Sequence, residues 1–491
     1  MSDEPKARVP VREQLKGMDR NFWVANVIEA GERLAFFGVR AIVGLYMVGP
    51  ISVIGLSMTE KGIIFGVWAL IQCLLPMVSG GYTDSYGYKK SLYVAFAINI
   101  SGYVLMANAT TFWSMMMAAI LVGTGTAIFK PPVQGAVAKA LNEGNSGLGF
   151  GIFYWIVNIG GFLAPMAASA LRGNETSPTW SHVFYGAAIV TAINYLPAIF
   201  LFREPERDKE AKDKKPLEVF TDTMVVLWND KSMLRFLLII SGFWFMFMQL
   251  WDLLPNFIIE WVDARDVGGV LTSLLGDGAA RFLAEDGAAK PEMLINIDSA
   301  AIILFVLPIS WFFGKYKMII ALVTGMAIGL VGFVGAGLFQ AGAMCALMIF
   351  VFAVGEMVCS PKFSEYIGMT APPDKKALYM GYSNIPFAFG WAGGNFLAGP
   401  LYDAFSSREL MARRYLVDQF GMSAEAAEQL DKGQLLETIA SKMGGDATSY
   451  DAVSALWNAY NPWIVWVILG AVGLVSVVGM IMNYRRAQQS A

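Results

Sequence analysis

The chain has 491 residues, of which 56% are hydrophobic and 15% charged, against roughly 25% charged in an ordinary soluble domain. Its 36 Lys+Arg and 39 Asp+Glu leave a net charge of −3, with no basic surplus to hold nucleic acid. Three cysteines inside apolar runs (Cys73, Cys345, Cys359) and one histidine, His182, give no metal-ligand spacing, so no disulfide, zinc site, haem or other cofactor is expected.

That composition has room for twelve membrane spans of about 20 residues, and the apolar runs between charges, Gly and Pro supply them in order. They are α1 20–48, α2 59–82, α3 90–109, α4 111–140, α5 148–171 and α6 180–202, then α7 233–262, α8 293–314, α9 316–340, α10 343–370, α11 377–403 and α12 462–484. Glu29, Glu32 and Arg33 interrupt the first run, which rules out a cleaved signal peptide, so α1 is expected to stay. The expected fold is an all-α membrane protein of 12 transmembrane helices in two six-helix bundles. The bundles are 1–202 and 233–491, joined by a charged cytoplasmic linker, 203–232, that is too polar to cross a bilayer. The polar, Ala- and Glu-rich segment 404–461 is expected to be helical and periplasmic. Lys6, Arg8, Arg12, Lys16 and Arg20, Lys89 and Lys90, Lys315 and Lys317, Lys375 and Lys376, and Arg485 and Arg486 all flank the spans on one side, while the opposite short connections, such as 49–58 and 341–342, carry no Lys or Arg. Both termini should therefore be cytoplasmic in a cell (inner or plasma) membrane.

The informative residues are the charges within the spans. α1 carries Glu29, Glu32, Arg33 and Arg40 on roughly one stripe. Each would cost about 2.5–3.5 kcal/mol facing lipid at mid-bilayer, so they are expected to face a wet or ion-paired interior. Lys130 in α4, Asn158 in α5, Gln249 and Asp252 in α7, Asn296 and Asp298 in α8, and Glu356, Lys362 and Glu365 in α10 are further polar groups at depth. If α1, α4, α7 and α10 line a central cavity, cations (Arg33, Arg40, Lys130) face carboxylates (Asp252, Glu356), which suits a zwitterion whose carboxylate meets Arg33 and Lys130 and whose ammonium meets Glu356. Pro131-Pro132, Pro255, Pro308 and Pro361 follow these residues and mark bends. No nucleophile–base pair, metal set or phosphate loop points to an enzyme.

Three features resemble known carriers. Gly160-Gly161-Phe162-Leu163-Ala164-Pro165 in α5 recurs as Gly393-Gly394-Asn395-Phe396-Leu397-Ala398-Gly399-Pro400 in α11, equivalent places in a duplicated six-helix plan. Gly80, Asp84 and Gly87 followed by Lys89-Lys90 resemble the cytoplasmic loop signature of major facilitator transporters, a gating motif. Glu29-x-x-Glu32-Arg33 through Phe36-Phe37-Gly38 and Arg40 resembles the helix 1 signature of the proton-dependent oligopeptide transporter family within that superfamily. Gly123-Thr124-Gly125 with Lys130-Pro131, Phe153-Tyr154 through Asn158 to Gly161, Ile295-Asn296 with Pro308, and Glu356 with Ser360-Pro361 and Ala371-Pro372 are similar to its later motifs.

The resemblance implies proton-driven import of di- and tripeptides by alternating access, with small-molecule substrate, protons and lipid bilayer as partners, and a carrier working as a monomer. Carried over, Glu29, Glu32 and Arg33 are the proton-linked cluster, joined by Arg40 and Asp252. Arg33, Phe36, Phe37, Lys130, Asn158, Gln249, Asn296 and Glu356 form the substrate site. Two departures keep the alternative of another small metabolite or a drug-like compound, exported included. Phe36-Phe37 stand where the family usually has two tyrosines, and Met248 precedes Gln249 where a carboxylate is usual, leaving Asp252, one turn on, to take the charge and pair with Arg40.

Overall fold

The computed structural model describes residues 10–49, 51–142, 145–173, 179–205, 225, 227–370 and 382–489. Lys6, Arg8, Ala371-Pro372, Lys375-Lys376 and the charged run 206–215 of the linker lie outside the described residues. Twelve long helical stretches occupy the expected positions among those described. They are α1 Arg20–Met47, α2 Met58–Leu74 with Pro76–Tyr86, α3 Tyr88–Ala107, α4 Phe112–Lys139, α5 Ser146–Arg172 and α6 Trp180–Ile193 with a π-turn at Pro197–Leu201. The second set is α7 Lys231–Phe247, Gln249–Asp252 and Leu254–Trp261, then α8 Pro291–Phe313, α9 Met318–Leu338, α10 Gly342–Thr370, α11 Asn384–Phe405 and α12 Ile464–Gln489. Ten are long and apolar enough to cross a membrane by composition alone; α1, with its four charges, and the glycine-rich α11 owe their place to packing.

Local chemistry sets the ends. Ser57 and Glu60 cap each other's backbone at the start of α2, as Thr111 and Ser114 do for α4. Gly87 separates α2 from α3 at φ 108°, a conformation that favours glycine. α7 is expected as one helix and forms three segments. Pro255 lacks an N–H, Leu253 swings to φ −112°, and the helix restarts beyond it. Between α7 and α8 lies an unanticipated helix, Arg265–Leu275, followed by a tighter turn, Gly276–Phe282. The segment between α11 and α12 is helical as expected, in four pieces, Arg408–Phe420, Ala424–Gln429, Gln434–Met443 and Ser449–Tyr460.

α1 packs on α5 and α6, and α3 on α4 and α6; in the second set α7 packs on α11 and α12, and α10 on α8 and α9. Two long seams join the sets, α2 along α11 and α5 along α8. The first seam depends on missing side chains. A Cβ on Gly62 would lie 2.3 Å from the Asn395 carbonyl oxygen, and one on Gly399 2.3 Å from that of Met58, so only glycine lets these backbones approach. The end of the molecule holding the α1–α2 connection is called distal below, and the end where α1 starts and α12 finishes proximal.

Candidate functional site

On the distal side, one carboxylate gathers groups from four helices. Asp252, at the break in α7, forms an ion pair with Arg40 of α1 and accepts from the Trp391 indole and, at 2.7 Å, from Asn395 Nδ2, both on α11. Lys61 of α2 donates to the Asp252 backbone carbonyl and, at 2.6 Å, to Asn256 Oδ1, while Asn256 Nδ2 returns to the Val48 carbonyl at 3.0 Å. Arg40 also lies 4.3 Å from the Phe65 ring centroid and 5.3 Å from that of Trp391, contacts that suit a weakly hydrated guanidinium. Asp252 is 2% exposed and Lys61 2%. Two cations and one carboxylate therefore sit in a dry junction between the halves.

Further distal contacts reinforce it. Asp403 of α11 accepts from Met58 N at 3.0 Å, Thr59 N at 2.8 Å and Thr59 Oγ1 at 2.6 Å, satisfying orphan donors at the start of α2. Arg172 at the end of α5 pairs with Glu292 at the start of α8 at 3.2 Å, both fully buried, and Lys290 donates to the Gly173 carbonyl at 2.8 Å.

About 10 Å further along α1 towards the proximal end, seven residues at the helical rise, lies the second group. Arg33 sits 3.1 Å from Glu29 and forms an ion pair with Glu32. Thr126 Oγ1 of α4 is 3.4 Å from Glu32 Oε1, and Lys130, one turn on, lies within electrostatic range of Glu29, Glu32 and Arg33. The guanidinium stands 5.2 and 5.5 Å from the Phe36 and Phe37 centroids. Phe36 is itself packed in the core against Trp68, while Phe37 is half-buried towards α5. The sequence expectation of one α1 stripe thus divides into a Glu29–Glu32–Arg33–Lys130 group and an Arg40–Asp252–Lys61 group.

The expected amine end is looser. Asn158 Nδ2 donates to its own helix at the Tyr154 carbonyl, 2.8 Å, and Asn296 Nδ2 to the Phe162 carbonyl of α5, 2.9 Å, so neither amide bonds Glu356. Glu356 Oε2 is buried with no partner, as are both polar atoms of Gln249, which faces α11 at Gly394. At the proximal end, Gly80 lies near Pro131, and Glu204, just beyond α6, accepts from Tyr88 N at 2.7 Å and Lys89 N at 3.0 Å. Lys89 Nζ reaches the Ile199 carbonyl at 3.3 Å and Lys90 is exposed. Among the described residues, this loop contacts α4, the end of α6 and the start of the linker, and a Cβ on Gly87 would lie 2.8 Å from Glu204 Oε1.

Lys61, Trp391, Asn395, Asp403, Arg172 and Glu292 were missed by sequence reasoning. Lys61 reads as a residue at a helix end, and only its burial against a segment 191 residues away reveals it. Two clefts of about 550 and 480 Å³ lie at the distal end under the helices 408–460, and neither is lined by Arg33, Lys130 or Glu356. The chemistry resides in the junctions between helices rather than in those clefts.

Residues 33–395 match the Major Facilitator Superfamily. The chain is 22% identical over 379 residues to multidrug resistance protein MdtH of Klebsiella pneumoniae (strain 342), covering 76% of this chain and 84% of that protein. Among solved structures, the nucleoside transporter NupG aligns over 94% of this chain and 99% of its own, with TM-score 0.65 at 13% identity. A POT family transporter in complex with 5-aminolevulinic acid aligns over 95% and 96%, with TM-score 0.65 at 16% identity. At these identities the structural likeness carries the fold, twelve helices in two six-helix bundles.

Proposed function

Because the chain belongs to the Major Facilitator Superfamily, a superfamily of carriers and not of enzymes, we propose that it is a proton-coupled carrier importing di- and tripeptides or similar zwitterions by alternating access. The moving units are 1–202 and 233–491, joined by 203–232, in the inner membrane with both termini in the cytoplasm. The observation that carries this reading is the distal junction, in which the Asp252 carboxylate pairs with Arg40 across the two halves while its backbone carbonyl holds Lys61, a cation that Glu260 and Asp403 also face. A proton on Asp252 removes the ion-pair partner of Arg40, leaves that buried cation unpaired beside Lys61 and favours separation of the halves at that end. Glu29 and Glu32 around Arg33 supply the second proton-sensitive station, with Arg33 and Lys130 available to a substrate carboxylate and Glu356 to its amine. Proton entry supplies about 2.3 kcal/mol per charge at about 100 mV, enough to accumulate a small solute.

The test is uptake of labelled L-alanyl-L-alanine into proteoliposomes with and without an imposed pH gradient. Gradient-stimulated uptake is expected, with Glu32→Gln abolishing the stimulation while retaining exchange, and Lys130→Ala and Glu356→Ala weakening binding. Normal gradient-driven uptake by Glu32→Gln would remove that residue from the coupling.

A second reading, export of a drug-like compound, is favoured by the relatives named as multidrug resistance proteins and by the phenyl rings of Phe36 and Phe37 at Arg33. Proton-driven expulsion of ethidium with no dipeptide uptake would select it.

A further inference from the structure

The proposed cycle leaves one buried carboxylate unused. Asp298 of α8 stands two residues beyond Asn296, so the two side chains leave opposite sides of the helix, and Asn296 is committed to α5. Ala301 and Ile302, one turn along the Asp298 face, pack against Ala353 and Met357 of α10, which flank Glu356 in sequence. Asp298 and Glu356 therefore both lie along the α8–α10 seam, within electrostatic range of each other.

Asp298 is 2% exposed. Its Oδ1 and Glu356 Oε2 are both closed to solvent and lack a hydrogen-bond partner. Titratable groups facing the pair are Tyr154 from α5 and Cys359 from α10, neither of them a cation. From α7, which also packs on α8, Glu260 is turned distally to Tyr402 and Arg408. Lys362, further along α10, is 2.7 Å from Glu365, and Lys130 and Arg33 belong to the Glu29–Glu32 group. Two buried carboxylates within electrostatic range of each other in a low-dielectric seam disfavour full ionisation where no cation accompanies them. The unpartnered oxygens require either a proton or a donor from outside.

We infer that Asp298 and Glu356 together form a two-carboxyl subsite that shares one proton when empty and receives the N–H donors of a primary ammonium or guanidinium when filled. The inference rests on Glu356 as the amine end of the proposed site, and it narrows the substrate class to cations with several N–H donors, excluding quaternary ammonium groups. Charge balance follows directly. The empty pair with its proton carries one negative charge, which a monocationic amine neutralises, so the proton stays and travels with the substrate. A dication drives that proton into the water instead.

The test needs no ligand for its main arm. Infrared titration of the full-length protein in lipid is expected to contain a protonated carboxyl C=O band that persists to alkaline pH. The band shifts in Asp298→Asn and in Glu356→Gln alike, because the proton belongs to both and the carboxyl left behind holds it beside an amide, and Asp298→Glu, which keeps the carboxyl if the amide variant fails to fold, shifts it as well. A band untouched by the Asp298 variants, or no such band, overturns the inference. In a second arm, benzylamine binds at least about tenfold more weakly to Asp298→Asn, about 1.4 kcal/mol, while benzyltrimethylammonium binds neither protein; equal benzylamine affinity overturns the amine assignment. Failure of dipeptide uptake with the band intact would fault the peptide reading alone.

Discussion

At the scale of single residues, the molecule concentrates its electrostatic cost where the halves meet. Removing one partner of a buried ion pair leaves an unpaired charge and costs about 3–5 kcal/mol. For Arg172 and Glu292, both without solvent exposure, we expect Arg172→Ala to lower thermal stability by that order. The exchanged pair Arg172→Glu with Glu292→Arg should recover most of it, read by unfolding of the purified protein in detergent; equal loss in the single and the double variant would deny the pair its role. Asp252→Asn acts differently, because it leaves Arg40 without its carboxylate partner beside a second buried cation, Lys61. The distal end should open more readily, so that gradient-driven uptake falls while counterflow persists. The ionisable residues of α1 were legible in the sequence, because charges inside an apolar run are wrong for their depth, and so was the partnership of Arg40 with Asp252. Lys61 and Arg172 were not, since a cation within a turn of a helix end reads as an interfacial residue until its partner on a distant helix is seen.

At the scale of helices, the duplicated Gly-Gly motif has a physical explanation. A Cβ on Gly160 would come 2.7 Å from Arg33 Cβ on α1, and one on Gly394 2.6 Å from the Phe245 carbonyl oxygen on α7. α5 on α1 and α11 on α7 are equivalent seams of the two bundles, and one glycine of each pair makes the close approach, the first in α5 and the second in α11. The spans could be read from their apolar runs to within a few residues. The breaks in α7 could be anticipated only in part, from Pro255, and the helix Arg265–Leu275 escaped because a short amphipathic segment at a membrane surface lacks the long apolar run that identifies a span. The α2–α11 seam yields a firm expectation. Gly62→Leu should overpack it by about 1–3 kcal/mol, depleting the distally closed state by about fivefold to 150-fold and reducing transport, with distal accessibility of a cysteine at position 158 rising. In the α7–α8 connection, the Arg265 side chain donates to Asp263 at 2.8 and 2.6 Å and holds its carboxyl below the usual range. A depressed carboxyl stabilises the fold above its unfolded-state value, and that contribution is lost as pH falls through the folded one. The stability difference between wild type and Arg265→Ala should therefore be present at neutral pH and vanish on strong acidification, as thermal unfolding at the two conditions would record.

At the scale of the whole molecule, the polar contacts joining the halves gather distally among the described residues. A membrane-impermeant thiol reagent supplied from the distal side should consequently fail to label a cysteine at position 158 until Asp252 is changed to Asn. Fusing a fluorescent protein and an alkaline phosphatase in turn to the C-terminus tests the orientation: fluorescence without phosphatase activity is expected. The helices 408–460 follow the second half. Arg408 donates to the Glu260 carbonyl at 2.6 Å, the Trp261 indole to the Ser406 carbonyl at 2.8 Å, and Trp457 rests edge-on to Phe257. Towards the first half they leave a cleft, bordered by Gly49, Gly55 and Glu60 on one side and Glu409 and Lys432 on the other. Under the proposed alternating access, such a one-sided roof would behave like a visor hinged to a single jaw, carried by the second half at each turnover. A bulky antibody fragment clasped to its outer face would slow that movement by drag and collision, giving an inhibitor that throttles the carrier without ever competing for its cargo.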